Sequence, residues 1–344
     1  MRTRAWFTKP LLATSLTVGV LLLSASRVDA QVASPLQSGH YAPGVINIRD
    51  MTNPPPGLFV AWYNWGLWSD TYIDRNGNKL SSLNLSELDP SLPDVDVQID
   101  VGAFATVPAL MWASSFTILG GARYLFAVSP NFAVANYTVV ADPGGPVTDT
   151  TAYRVVDGSV SGFSDLFVAP LGLSWGLGQL DLFLQYGFYA PVGRYTTGAD
   201  DNMGLGFWTH QFQGFGTFYP WAHQATAIML GLTYEVSTEV EDVAVNPGNR
   251  FTLEWGVSQY VSERFELGVQ GGHNWQVTDD AGDDVFWDPS YHDRKSIIGF
   301  SAGFWPWQNR LYVSAKYAFE FGIRQRFKNN SLMLNILFLT NALD

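Results

Sequence analysis

From Gly57 onward the chain repeats one pattern, runs of roughly ten residues in which every second side chain is apolar. Leu180, Leu182, Leu184, Tyr186 and Phe188 alternate with Asp181, Phe183, Gln185, Gly187 and Tyr189. Ile228, Leu230, Leu232, Tyr234 and Val236 do the same with Met229, Gly231, Thr233 and Glu235. The pattern returns at Phe251–Ser258, Phe265–Gln270, Leu311–Glu320 and Leu332–Phe338, and more weakly at 57–68, 95–113, 121–128, 165–177, 207–218 and 296–304. Successive side chains of a strand point to opposite faces, so each run has one apolar face and one mixed, Gly-containing face; helical spacing would scatter the same residues around a cylinder. Twelve strands are predicted. Within 95–113 the apolar parity shifts near Ala103 and Pro108 interrupts, which reads as a β-bulge.

The connections alternate as well. Short turns are expected at 175–180, 219–224, 262–264 and 305–310, and longer Asp- and Gly-rich stretches at 69–94, 129–164, 190–206, 238–249, 278–294 and 322–330. Alternating short and long loops on an even number of strands mark an all-β, up-and-down antiparallel transmembrane barrel, with tight periplasmic turns and large extracellular loops. A soluble sandwich is the competing fold, but its outer face would carry Lys and Glu, whereas the second face here is Gly, Ser, Thr and Gln. Trp65, Trp68, Trp175, Trp208, Trp221, Trp275, Trp305 and Trp307 fall near strand ends, where membrane interfaces place amphipathic rings. An open edge in lipid would strand backbone N–H and C=O groups, so the sheet must close.

The ends and the composition fit that reading. Arg2, Arg4 and Lys9, an uncharged apolar stretch from Leu11 to Leu23, and the small-residue run Val28-Asp29-Ala30 make 1–30 a secretory signal peptide, with cleavage expected after Ala30. Residues 31–56, closing on Pro54-Pro55-Pro56, form an extended lead-in that either plugs the lumen or runs free in the periplasm; 57–344 form the barrel. Without the leader the chain carries 15 Lys+Arg against 30 Asp+Glu, an acidic balance that excludes a nucleic-acid partner. There is no cysteine, hence neither a disulfide nor a lipidated anchor.

Candidate chemistry lies on the inward face. Parity turns Asp181, Glu235, Glu254, Glu266, Lys316 and Glu320 into the lumen, with Arg324 following at the rim. Ionisable groups at membrane depth face water or each other, so they line either a hydrated path or a sealed ion-pair network. A bore between the filled barrels of ~8 strands and the aqueous ones of ~16–18 suggests a narrow path, partly apolar at Phe183 and Tyr312. No metal ligand set, hydrolase elbow or cofactor motif is present in the sequence, so no cofactor is expected. A membrane-bound lipid or ester hydrolase using His273 or His292 is a rival reading, and a surface-contact barrel working through its long loops is another. The expected partners are outer-membrane lipid and lipopolysaccharide, and a small organic solute.

Several stretches resemble one family in order along the chain. They are Pro54-Pro55-Pro56-Gly57-Leu58, Asp74-Arg75-Asn76-Gly77-Asn78-Lys79, Gly162-Phe163-Ser164-Asp165 with Pro170-Leu171-Gly172-Leu173-Ser174-Trp175, Ala190-Pro191-Val192-Gly193-Arg194-Tyr195, and Phe319 through Phe327. The resemblance is to the meta-pathway phenol-degradation family of outer-membrane barrels. It implies an outer-membrane location and passage of small organic compounds, aromatic ones among them. Barrels of this kind often end on an aromatic residue read by the barrel-assembly machinery; here Phe338 is followed by six residues, so a short tail after the last strand is expected.

Overall fold

The computed structural model describes residue 34 and residues 39–83, 95–142, 154–199 and 201–340. Twelve antiparallel strands close into a barrel. They are β1 (Gly57–Ser69), β2 (Val95–Ile118), β3 (Ala122–Ser129 continuing as Phe132–Asp142), β4 (Arg154–Phe163 continuing as Leu166–Gly176), β5 (Leu180–Ala190) and β6 (Thr209–Phe218). Then come β7 (Thr226–Ser237), β8 (Arg250–Tyr260), β9 (Phe265–Gln276), β10 (Arg294–Trp307), β11 (Leu311–Arg324) and β12 (Asn330–Leu339). Each strand pairs with its sequence neighbours, and β1 closes the ring by pairing with both β2 and β12, Trp65 standing opposite Ala105 on one side and Met333 on the other. The predicted alternation is realised: Leu230, Phe300 and Leu332 on the outer wall are 53%, 54% and 56% exposed, while Glu254, Lys316 and Met333 on the inner wall are 1% exposed. A fold that shows its large apolar side chains outside and hides its charges inside is built for lipid.

Two corrections concern β2 to β4. The stretch 129–164, expected to be a loop, carries most of the extensions of β3 and β4. With 24 residues, β2 is about twice the ~9–11 residues that cross a bilayer, so this hairpin rises above the membrane. The parity change near Ala103 is likewise no bulge. Pairing with β1 and β3 runs unbroken through it, and even-numbered residues keep the outward positions from Asp96 to Trp112. What changes is the surroundings. Phe104, Leu110 and Trp112 face lipid, whereas Asp96, Gln98 and Asp100 face outward beyond it. In that upper part Val95, Val97, Ile99 and Val101 turn inward onto Tyr72, Tyr137 and Val139. The register does slip further down, between Ala113 and Thr117.

Candidate functional site

The lumen is crossed by the chain's own N-terminal segment. At the outer mouth Ser34 Oγ donates to Asp280 at 2.7 Å, and the imidazole of His40 lies 2.8 Å from Thr209 Oγ1 and 2.9 Å from Asp165. Deeper, the Tyr41 N–H donates to Glu235 at 2.9 Å, and the Gly44 N–H to Glu254 at 2.6 Å. The Tyr41 hydroxyl donates to the other oxygen of Glu254. Lys316 Nζ donates to the carbonyls of Gly44 at 2.6 Å and Ile46 at 2.8 Å, and Asn335 Nδ2 donates to Val45 O at 3.1 Å. At the periplasmic end Arg49 donates to Glu266 at 2.7 Å and, at 2.9 Å, to the carbonyls of Gln224 and Ala225 in the β6–β7 turn. Ser174 donates to Asn53 at 2.9 Å, and β1 begins four residues later.

The sequence provides for this path on both sides. Ile48 packs among Phe183, Phe215, Tyr219 and Met229 of the wall. A Cβ at Gly256 would stand 2.6 Å from Ile48, one at Gly268 2.9 Å from it, and one at Gly272 2.8 Å from Pro43. The small residues of the inner face thus leave space for a peptide. The extended, proline-flanked segment also exposes backbone N–H and C=O groups that need partners in a dry interior. Glu235, Glu254, Gln270, Lys316 and Asn335 supply them.

The expected lumen residues fall into three groups. Glu235, Glu254, Glu266 and Lys316 converge on the segment. Glu320 instead pairs with Lys295 at 2.6 Å and accepts from the Asn329 side chain at 2.8 Å, so it braces the wall. Asp181 sits near the periplasmic turn, accepting from the Tyr219 hydroxyl at 2.9 Å and from the backbone of Asn53 where the segment leaves the lumen. Arg324 is a correction. Gly322, with φ +61°, bulges the strand, and the inward-outward count slips by one, leaving Ile323 buried and Arg324 exposed on the outer wall. Sequence reasoning missed Asn335, Gln270 and the partners on the segment itself. The only signal for them was polarity at inward parity.

Neither histidine considered for hydrolysis assembles a catalytic group. His273 Nδ1 is 2.8 Å from Ser296 on the adjacent strand and its ring stacks on Trp275, but among the described residues no carboxylate or amide orients its other nitrogen. His292 pairs with Asp279 at 2.7 Å in the solvent-exposed loop, while its neighbour Asp293 turns to Arg250 and Arg326.

Asp293 turns inward at the outer mouth, between Arg250 at 2.5 Å and Arg326 at 3.1 Å. Burial pushes its carboxyl up, but the two guanidiniums outweigh burial and hold it below the ordinary carboxylate value. A depressed folded-state pKa means stabilisation that is complete above the unfolded value near 4 and is lost as pH falls through the lower folded one. Asp293→Asn is therefore expected to cost about 3 kcal/mol at neutral pH, by leaving two buried cations short of an anion. The temperature at which the folded band is lost on gels should drop for the variant at pH 7, and the gap should narrow toward pH 3. Equal midpoints at pH 7 would contradict this.

Fold and lumen together define a transmembrane β-barrel of outer-membrane architecture. The chain belongs to the family described as "Putative MetA-pathway of phenol degradation", whose sequence model matches residues 74–336. Among solved structures it is similar to an outer membrane channel from Pseudomonas putida F1, at 14% identity and TM-score 0.61, covering 86% of this chain and 99% of that one. More distant likenesses are the translocator domain of the autotransporter NalP from Neisseria meningitidis (13% identity, 84% and 90% covered, TM-score 0.43) and a Pseudomonas aeruginosa FadL homologue (10% identity, 83% and 90% covered, TM-score 0.34). No curated protein matches by sequence.

Proposed function

We propose that the protein resides in the outer membrane and admits small, rather hydrophobic organic molecules by passive diffusion through a narrow lumen gated by residues 39–53. The observation that carries this reading is the nature of the obstruction. The lumen is filled by a separate segment held through side-chain hydrogen bonds, against an apolar cluster at Ile48, Phe183, Phe215 and Met229. A wall meant only to be solid would close with its own side chains, as barrels of ~8 strands do. Membership of a phenol-degradation family points to aromatic solutes. Catalysis has no comparable support, since among the described residues His273 bonds Ser296 without a carboxylate behind it and His292 bonds Asp279 without a nucleophile in front of it.

Liposomes carrying the purified barrel are expected to take up an aromatic solute such as phenol or toluene faster than protein-free liposomes. A charged hydrophilic solute of similar mass, such as lactate, should show little gain. Equal rates with and without protein would overturn the reading, and lipid or ester turnover that disappears in His273→Ala would replace it with the hydrolase.

A further inference from the structure

Outside the lumen, one feature of the outer wall has no role in solute passage. Where β9, β10 and β11 reach the outer rim, Trp275 stands opposite Arg294, and Arg294 stands opposite Arg324. Two like charges placed directly across a strand pair repel each other. Among the described residues neither guanidinium has an ion pair or a side-chain hydrogen bond, in a chain with an excess of acids. Between them opens a cavity of about 340 Å³, lined also by Arg75, Tyr291 and His292. The Arg75 guanidinium lies 4.4 Å from the centre of the Tyr291 ring, which keeps it at the cavity edge. The nearby acids are engaged: Asp279 pairs with His292, Asp293 lines the cavity but has its carboxylate oxygens on Arg250 and Arg326, and Asp288 accepts from Ser290 at the same edge as Arg75.

The position identifies the ligand's other half. Directly below the arginines, the outward residues of the same strands are Ser296, Phe319 and Phe321, followed by the lipid-facing Phe300. A molecule filling the cavity would therefore have an anionic head at the rim and hydrocarbon beneath it. Guanidinium groups bind phosphate through paired, charge-assisted hydrogen bonds. We propose that Arg294, Arg324 and Arg75 form a binding site for the phosphorylated headgroup of an outer-leaflet lipid, the lipid A moiety of lipopolysaccharide, with its acyl chains lying along Phe319 and Phe321. The site rests on the outer-membrane location proposed above and on which rim faces outward, not on solute passage.

The test uses the full chain folded in detergent micelles and titrated with diphosphoryl lipid A, with the same lipid lacking both phosphates, and with inorganic phosphate. Diphosphoryl lipid A should bind at least about tenfold more tightly than the dephosphorylated form, and Arg294→Gln/Arg324→Gln should abolish most of that difference. Arg264→Gln, an exposed arginine in a turn at the opposite rim, should leave it intact. Equal binding of the two lipids by the wild-type protein overturns the proposal, and that comparison stands even if the double variant fails to fold. Inorganic phosphate binding as tightly as the phosphorylated lipid would assign the site to a soluble anion and overturn the lipid assignment.

Discussion

A variant lacking residues 39–53 is expected to form a permanently open, cation-selective pore whose single-channel conductance in planar bilayers exceeds that of the intact protein by roughly an order of magnitude. The ring does not depend on the segment for closure, because every strand is paired on both sides by backbone ladders. What the segment contributes is occupancy. It occupies space that Gly256, Gly268 and Gly272 leave vacant, and it covers the inward groups from the Asp165 level down to Glu266. Without it, water reaches Glu235, Glu254 and Glu266, which lose their contacts to Tyr41, Gly44 and Arg49. Lys316 faces them from β11, and the nearby Arg250 is already paired with Asp293, so the freed field is negative and favours cations. Conductance equal to that of the intact protein would show that the segment is no obstruction, and the gating role would fall with it.

The strand count and the orientation of each stripe were legible because the bilayer imposes a rule on every second residue. Leu230 and Leu232 face outward to lipid while Met229 is buried inside, so the alternation in the sequence is the alternation of the wall. The same rule misled where the bilayer ends. Above Ala103 the outside is water, so Asp96 and Asp100 take the outward positions that Phe104 and Leu110 hold below, and a change of solvent imitates a change of register. Arg324 shows the reverse case, a true one-residue slip at Gly322 that leaves no mark in the hydrophobic pattern. The inward placement of Glu254 and Lys316 followed from parity, but their partners did not. Those lie some 210 and 272 residues away in sequence, on an irregular segment whose side chains obey no period.

Glu254 offers the sharpest separation of wall from gate. Its two oxygens accept from the Gly44 N–H and from the Tyr41 hydroxyl, in a place where all three groups are shut off from water. Glu254→Ala leaves the Gly44 N–H unpaired and the Tyr41 hydroxyl with only Thr233 beside it whenever the segment is in place, a cost of about 2–4 kcal/mol. In the open state the same donors are hydrated, so the cost falls on the closed state alone. A shift of about 3 kcal/mol multiplies the open-to-closed ratio by roughly a hundred. Single-channel records of Glu254→Ala should therefore show frequent openings of the amplitude seen after deleting 39–53, and protease added from outside should cut within the segment sooner. Glu320→Ala removes an equally buried carboxylate, but one whose partners, Lys295 and Asn329, belong to the wall and its rim. That variant should lose thermal stability without gaining openings. If both variants open alike, the lumen responds to lost charge in general, and the hydrogen bonds from Tyr41 and Gly44 are not what holds the segment in place.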